Sequence, residues 1–229
     1  MYNNNFLDQS DNNLSLSKSY NVSFHNEDEY GESENIQHSS KLQSKIILIG
    51  DQAVGKTSIF HRFMEETFSD TYKCTVGVEY KIKSLLIDNT TKMELKIWDT
   101  CGQEQFRSLT KSFFRESNGA ILVFDLTNRT TFEHLNDWVK DLENNAPPDI
   151  QVFVAGNKAD LENERIVTSE GGEKFKEAYE LDMFMETSAK TGYNAELLFI
   201  KAAVLLYNEH NKYLRKVNIS FYIIFLLEK

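Results

Sequence analysis

The sequence predicts an α/β domain with a mostly parallel, six-stranded sheet and helices on both faces. Three observations carry that expectation. Short apolar runs alternate with stretches of helical periodicity, as in a chain that passes repeatedly from strand to helix. Two central runs, AILVFDL (120–126) and IQVFVAG (150–156), are continuously apolar, the pattern of strands buried on both faces. KIILIG (45–50) stops at a glycine just ahead of a helical pattern, a strand–turn–helix start.

Taken in order, KIILIG reads as the first strand and KTSIFHRFMEE (56–66) as a helix, with Ile59, Phe60 and Phe63 on one face. YKIKSLLI (80–87) and MELKIW (93–98) alternate as two strands joined by a DNTTK turn. AILVFDL leads into the helix TTFEHLNDWVKDLE, and IQVFVAG is followed by the helix SEGGEKFKEAYE. A last strand, DMFMET, precedes the apolar helix AELLFIKAAVLLYNEH. No internal repeat interrupts this series.

With 229 residues and 41% hydrophobic content, the chain is sized for one good-sized domain with appendages. Its net charge of −10 argues against nucleic acid as a partner, because such binding draws on basic groups meeting phosphates. Two cysteines, Cys74 and Cys101, are too few for a disulfide framework or a zinc site and suit a reducing compartment. The N-terminus has neither a basic n-region nor an apolar core, so no signal peptide is expected. Tyr2 rather than glycine follows Met1, against myristoylation. No stretch approaches the ~20 apolar residues of a spanning helix.

Residues 1–44 stand apart: Asn- and Ser-rich, with two lysines against seven acids, a net −5 that is half the charge of the chain. Such a segment buries too little apolar surface to offset its ordering entropy and is expected to be a disordered extension. The remaining expected divisions are a domain over 45–210 and a variable tail over 211–229.

The first motif is GDQAVGKT, Gly50–Thr57, which fits G-x-x-x-x-G-K-[ST] between a buried strand and a helix start. There the N–H groups of Ala53, Val54, Gly55, Lys56 and Thr57 can surround a phosphate, aided by the positive end of the helix. Gly50 and Gly55 allow the close wrap. Lys56 would reach the β- and γ-phosphates, and the Thr57 hydroxyl would bind Mg²⁺. NKAD, Asn157–Asp160, follows a later strand at the same sheet edge, 107 residues after Gly50. It points to guanine: the Asp160 carboxylate can accept from both N1–H and the 2-amino group. Adenine has no 2-amino group and presents an acceptor at N1, so the carboxylate would stay unpaired. Asn157 can tie the loop to its neighbours, and the Lys158 stem can cover the base.

In WDTCGQEQF (98–106), Asp99 can hold Mg²⁺ through water and the Gly102 N–H can meet the γ-phosphate. Gln103 is the candidate for orienting an attacking water. Thr75 lies in a loop 18 residues after Thr57 and can complete the Mg²⁺ sphere. ETSAK (186–190) follows the last strand, where the Ala189 N–H can donate to guanine O6.

Together, in this order, the motifs resemble those of small GTPases of the Ras superfamily, and TVGVEY, ELKIWDT, QFRSLT, SFFR and LVFDLT resemble the Rab family around its two switch segments. The likeness covers about Lys45 to Tyr207. It implies a P-loop NTPase G domain that binds GTP or GDP with Mg²⁺, hydrolyses GTP slowly, and recruits effectors in its GTP state during vesicle trafficking. It places Ser58, Ser188 and Lys190 among the nucleotide-binding residues, and Phe68 against the guanine edge. It also implies an exchange factor, a GTPase-activating protein (GAP) and effectors as partners, and a cytoplasmic protein peripheral to an endomembrane surface. A GTP-binding scaffold that does not cycle is the alternative from another class. An ATP-using nucleotide kinase is opposed by NKAD, and no Rho-type insert separates NKAD from ETSAK.

Three departures from the family pattern stand out. Cys101 replaces the usual Ala, and an exposed thiol there would be open to oxidation. Gln105 replaces the customary Arg. Gln52 and Ala53 occupy phosphate-loop positions where larger side chains crowd the catalytic Gln. The tail SFYIIFLLEK (220–229) ends without the prenylated cysteines usual in the family. Three readings compete for it: a helix extension folding back on the domain, a short interfacial anchor with Lys212, Arg215 and Lys216 toward headgroups, or a chain end that is not the native one.

Overall fold

The computed structural model describes residues 22–24, 42–71, 73–75, 77–87, 91–102 and 111–227, with backbone alone in 22–24 and 215–227. Seven strands form one sheet: β1 (Val22–Phe24), β2 (Leu42–Ile49), β3 (Val78–Ile87), β4 (Thr91–Thr100), β5 (Gly119–Asp125), β6 (Gln151–Asn157) and β7 (Met183–Glu186). Their spatial order is β1-β3-β4-β2-β5-β6-β7. Strands β4, β2, β5, β6 and β7 pair in parallel, whereas β3 is antiparallel to β4 and β1 is antiparallel to β3.

The helices are α1 (Lys56–Glu65), α2 (Arg129–Glu133), α3 (Leu135–Asn145), α4 (Ser169–Ala178) and α5 (Ala195–Leu227). Strand β2 shows why both faces are covered. Ile46 and Leu48 join the core beneath α1 and α5, while Ile47 and Ile49 join the core beneath α3 and α4. All four are wholly buried, which follows from the two-residue period of a strand whose last four side chains are all apolar. On the first face, Phe63 of α1 stacks on Phe199 of α5 at 4.2 Å between ring centres. On the second, Trp138, Phe124 and Phe175 fill the layer.

The six expected strands are all present, and the structure adds a seventh. β1 lies inside the segment read as disordered. The open edge of β3 offers backbone donors and acceptors that any short extended segment can satisfy, whatever its composition. The rest of residues 1–41 lies outside the described residues. The sheet also starts earlier than expected, at Leu42. The single helix expected over TTFEHLNDWVKDLE is two, α2 and α3, meeting at His134. Asn128 caps α2 by accepting from the Thr130 N–H at 3.0 Å, and Thr168 caps α4 through the Gly171 N–H at 3.1 Å.

Through Leu227 the tail is helical. It continues α5, a single helix of 33 residues that is roughly 50 Å long at 1.5 Å per residue. Among the helix residues whose side chains are described, Leu206 is the last buried in the core, and Tyr213 and Leu214 stand exposed. Among the described residues, no helix is long and apolar enough to cross a membrane.

Candidate nucleotide-binding site

The carboxyl ends of β2, β4, β6 and β7 open onto a cavity of about 710 Å³. The loop between β2 and α1 forms one wall. Gly50 has φ +140°, and a Cβ there would collide with the Val123 carbonyl, so the tight turn requires glycine. Lys56 is buried, and its Nζ donates to the Gly50 and Asp51 carbonyls at 2.9 and 2.7 Å. Burial lowers its ammonium pKa to about 8, against the opposing pull of Asp99 and then Asp51. A cation held by neutral carbonyls inside a cavity is well matched to an entering anion.

The Thr57 hydroxyl donates to Asp99 Oδ2 at 2.6 Å and lies 2.7 Å from the Thr75 hydroxyl. A hydroxyl carries one hydrogen, so Thr75 donates to Thr57. Asp99 is fully buried, and its Oδ1 has no hydrogen-bond partner among the described residues. Burial pushes this carboxyl up to about 6, with the Thr57 bond the largest opposing influence. One orphaned carboxylate oxygen and two hydroxyls on one spot suit a hard divalent cation. Gly102 comes so close that a Cβ would strike Lys56 Nζ and the Asp51 backbone.

The opposite wall is an interlocked set of hydrogen bonds. Asn157 Nδ2 donates to the Val54 carbonyl at 2.9 Å, joining NKAD to the phosphate loop. Asn157 Oδ1 accepts from Thr187 Oγ1 at 3.3 Å and from the Ala189 N–H at 3.2 Å. Ser188 Oγ donates to Asp160 Oδ1 at 2.5 Å. Lys158, at φ 67°, places its ammonium 2.6 Å from Asp125 Oδ2, so its stem is held across the wall. Arg62 donates to the Ala189 and Lys190 carbonyls, both at 2.9 Å, with its guanidinium 5.9 Å from the Phe68 ring centre.

The structure thus brings Ala53, Gly55, Lys56, Thr57, Ser58, Phe68, Thr75, Gly102, Asn157, Lys158, Asp160, Ala189 and Lys190 to one cavity. Val54 and Ser188 are buried behind it and act on Asn157 and Asp160. Ala189 differs from expectation in one respect: its N–H is engaged by Asn157 rather than turned loose toward a base. Cys101, where an exposed thiol would be open to oxidation, is only 4% exposed, because it follows directly on the buried end of β4. Gln103 and Gln105 lie outside the described residues.

Sequence reasoning missed a clasp on the phosphate loop. Asp51 Oδ1 accepts from Trp138 Nε1 at 2.9 Å, and His134 Nδ1 lies 2.6 Å from Asp51 Oδ2. It also missed Arg62 and Asp125. Pattern could not reveal contacts between residues that lie tens of positions or more apart in the chain; a polar residue directly after the first motif glycine was the one local hint.

A buried lysine in a strand–loop–helix turn, facing a carboxylate loop suited to guanine, defines a P-loop guanine-nucleotide-binding protein. The sequence profile of the Ras family matches residues 45–208. The Ras-related protein Rab-8A of Gallus gallus is 42% identical over 159 residues, covering 69% of this chain and 76% of that protein. The chain belongs to the Ras family and is a small GTPase of the Rab type: a switch in vesicle trafficking that hydrolyses GTP to GDP.

Proposed function

We propose that this chain cycles between GTP and GDP with Mg²⁺ held by Thr57, Thr75 and, through water, Asp99. The observation that carries the reading is the unpartnered Asp99 Oδ1 beside two convergent hydroxyls. When bound, the cation would neutralise charge on the β- and γ-phosphates and so favour transfer of the γ-phosphoryl group to water, with GDP as the leaving group. The protein does the rest. Lys56 exchanges two carbonyl contacts for phosphate oxygens, and Asp160 selects guanine. Thr75 and the Gly102 N–H sense the γ-phosphate, and Gln103 orients the attacking water. Loss of the γ-phosphate frees Thr75 and Gly102, and the segments that carry them relax.

An exchange factor, a GAP and effectors read this cycle at an endomembrane surface, with residues 1–44 and 211–229 as appendages to the catalytic domain over 45–210. Intrinsic hydrolysis is slow, on the order of 10⁻⁴ s⁻¹. Single-turnover hydrolysis in Gln103→Leu tests the mechanism. The expected result is a GTP state prolonged at least tenfold with GTP affinity retained; an unchanged rate removes Gln103 from the role. Chelation with EDTA should accelerate GDP release in the wild type and change little in Thr57→Ala.

A further inference from the structure

Strand β3 reads VEYKIKSLLI, and its two halves differ in kind. The half near the cavity carries Glu79, Lys81 and Lys83 at alternate positions. Charges on an edge strand hinder another sheet from pairing with it. The far end, Ser84–Ile87, has none and is apolar from Leu85 onward. Without a neighbour on its outer side, that end would present unpaired N–H and C=O groups on an uncharged, strand-prone segment, a template for pairing with another chain. β1 pairs with this end alone: Val22 opposite Ile87, Ser23 opposite Leu86 and Phe24 opposite Leu85. The uncharged part of the edge is the part that is covered.

We propose that the N-terminal extension is an intramolecular edge guard, whose strand Val22–Phe24 occupies the outer side of Leu85–Ile87 and excludes a second copy of the chain. A strand of three residues is a small unit, so the guard opens locally at low cost while the domain stays folded. Its composition need not encode a core, because the backbone supplies the contact. That reconciles an Asn- and Ser-rich extension with an ordered element.

The test uses the full chain with Val22→Pro/Ser23→Pro. Along an antiparallel strand, alternate N–H groups face the neighbour, so one of the two prolines removes a ladder donor whichever way β1 is turned. GDP binding serves as the control for an intact domain. At dilution, where the variant is monomeric, hydrogen exchange should accelerate at least tenfold at those N–H groups of residues 85–87 that face β1. In size-exclusion chromatography with light scattering, a chain that runs as a monomer should become a concentration-dependent dimer. Adding Leu86→Lys to the proline variant should restore the monomer and leave exchange fast. Unchanged exchange overturns the pairing. Fast exchange in a chain that stays monomeric at every concentration overturns the guarding role, as does a dimer that persists with Leu86→Lys.

Discussion

The two ends of the nucleotide cavity are built on opposite plans. At the base end, Asn157, Thr187, Ser188, Ala189 and Asp160 satisfy one another, and Arg62 braces the Ala189 and Lys190 carbonyls from below. At the phosphate end, polar groups hold one another in substitute contacts: Lys56 on two carbonyls, Thr57 on Asp99 and Thr75, and Asp99 Oδ1 on no group among the described residues. The difference is one of timing. Base recognition is complete before the ligand arrives, whereas the phosphate end finishes its bonding only with ligand present. A switch needs that division, because affinity must survive hydrolysis while the segments beside the γ-phosphate must not.

The largest effect that would test this contrast is at Asp160. Asp160→Asn replaces one of two acceptors with a donor, so guanine loses a bond and meets an opposed N–H. GDP affinity should fall roughly 10⁴-fold, the scale for a site whose designed hydrogen bonds go unmet. Xanthine carries a carbonyl where guanine has its 2-amino group, so XDP should bind the variant better than GDP does. Competition between the two nucleotides reads this directly. If the base end is prebuilt, the variant's unfolding midpoint without nucleotide should stay near that of the wild type.

Next in size is Asn157→Ala. It strands the Val54 carbonyl, the Thr187 hydroxyl and the Ala189 N–H, all in the interior behind the cavity. A loss of about 3 kcal/mol in denaturant unfolding is expected, together with faster GDP release. A loss confined to nucleotide binding would mean that the interlock forms only around a ligand.

The phosphate end answers to pH through Lys56, whose pKa stands at about 8 because it is buried. A bound phosphate favours the ammonium form. Nucleotide affinity should therefore be level below pH 8 and fall by up to tenfold per unit above it. Stability of the nucleotide-free fold runs the other way. Between pH 8 and the ordinary lysine value of 10.5, the unfolded chain binds more protons than the folded one, so the fold gains stability as pH rises. Titrating GDP from pH 7 to 10, beside thermal unfolding without nucleotide, checks both signs, and Lys56→Met should flatten both curves.

Much of this was legible in the sequence because its chemistry is local. The phosphate loop, NKAD and ETSAK each place their functional groups within a few residues, on turns that strand ends dictate. The six strands were legible for the same reason, through apolar runs of strand length. What the pattern did not reveal is long-range or backbone-borne. β1 has no hydrophobic signature because pairing with an edge needs none. The break at His134 is invisible to a periodicity that continues through it. Asn157 was expected only to tie its loop to unspecified neighbours, while its actual partners, Val54 and Ala189, lie 103 and 32 residues away.

The smallest expected effect concerns the clasp on the phosphate loop. Both carboxylate oxygens of Asp51 at that end are engaged by residues outside the site, Trp138 Nε1 at 2.9 Å and His134 Nδ1 at 2.6 Å. Asp51 therefore breaks the rule that the phosphate end waits for its ligand, and it suggests what keeps the loop shaped in the meantime. Trp138→Phe keeps most of the buried ring and deletes the donor, leaving the carboxylate to His134 alone. Stability should drop by about 1 kcal/mol, the net worth of one such bond. GDP release should quicken a few-fold, because the Asp51 carbonyl also accepts from Lys56 and moves with its side chain. In Asp51→Asn the same Trp138→Phe change should have a smaller effect, and that non-additivity separates a lost hydrogen bond from a poorly filled core. If the two substitutions simply add, Trp138 serves as packing alone, and the loop owes its shape to Gly50 and to the Lys56 contacts.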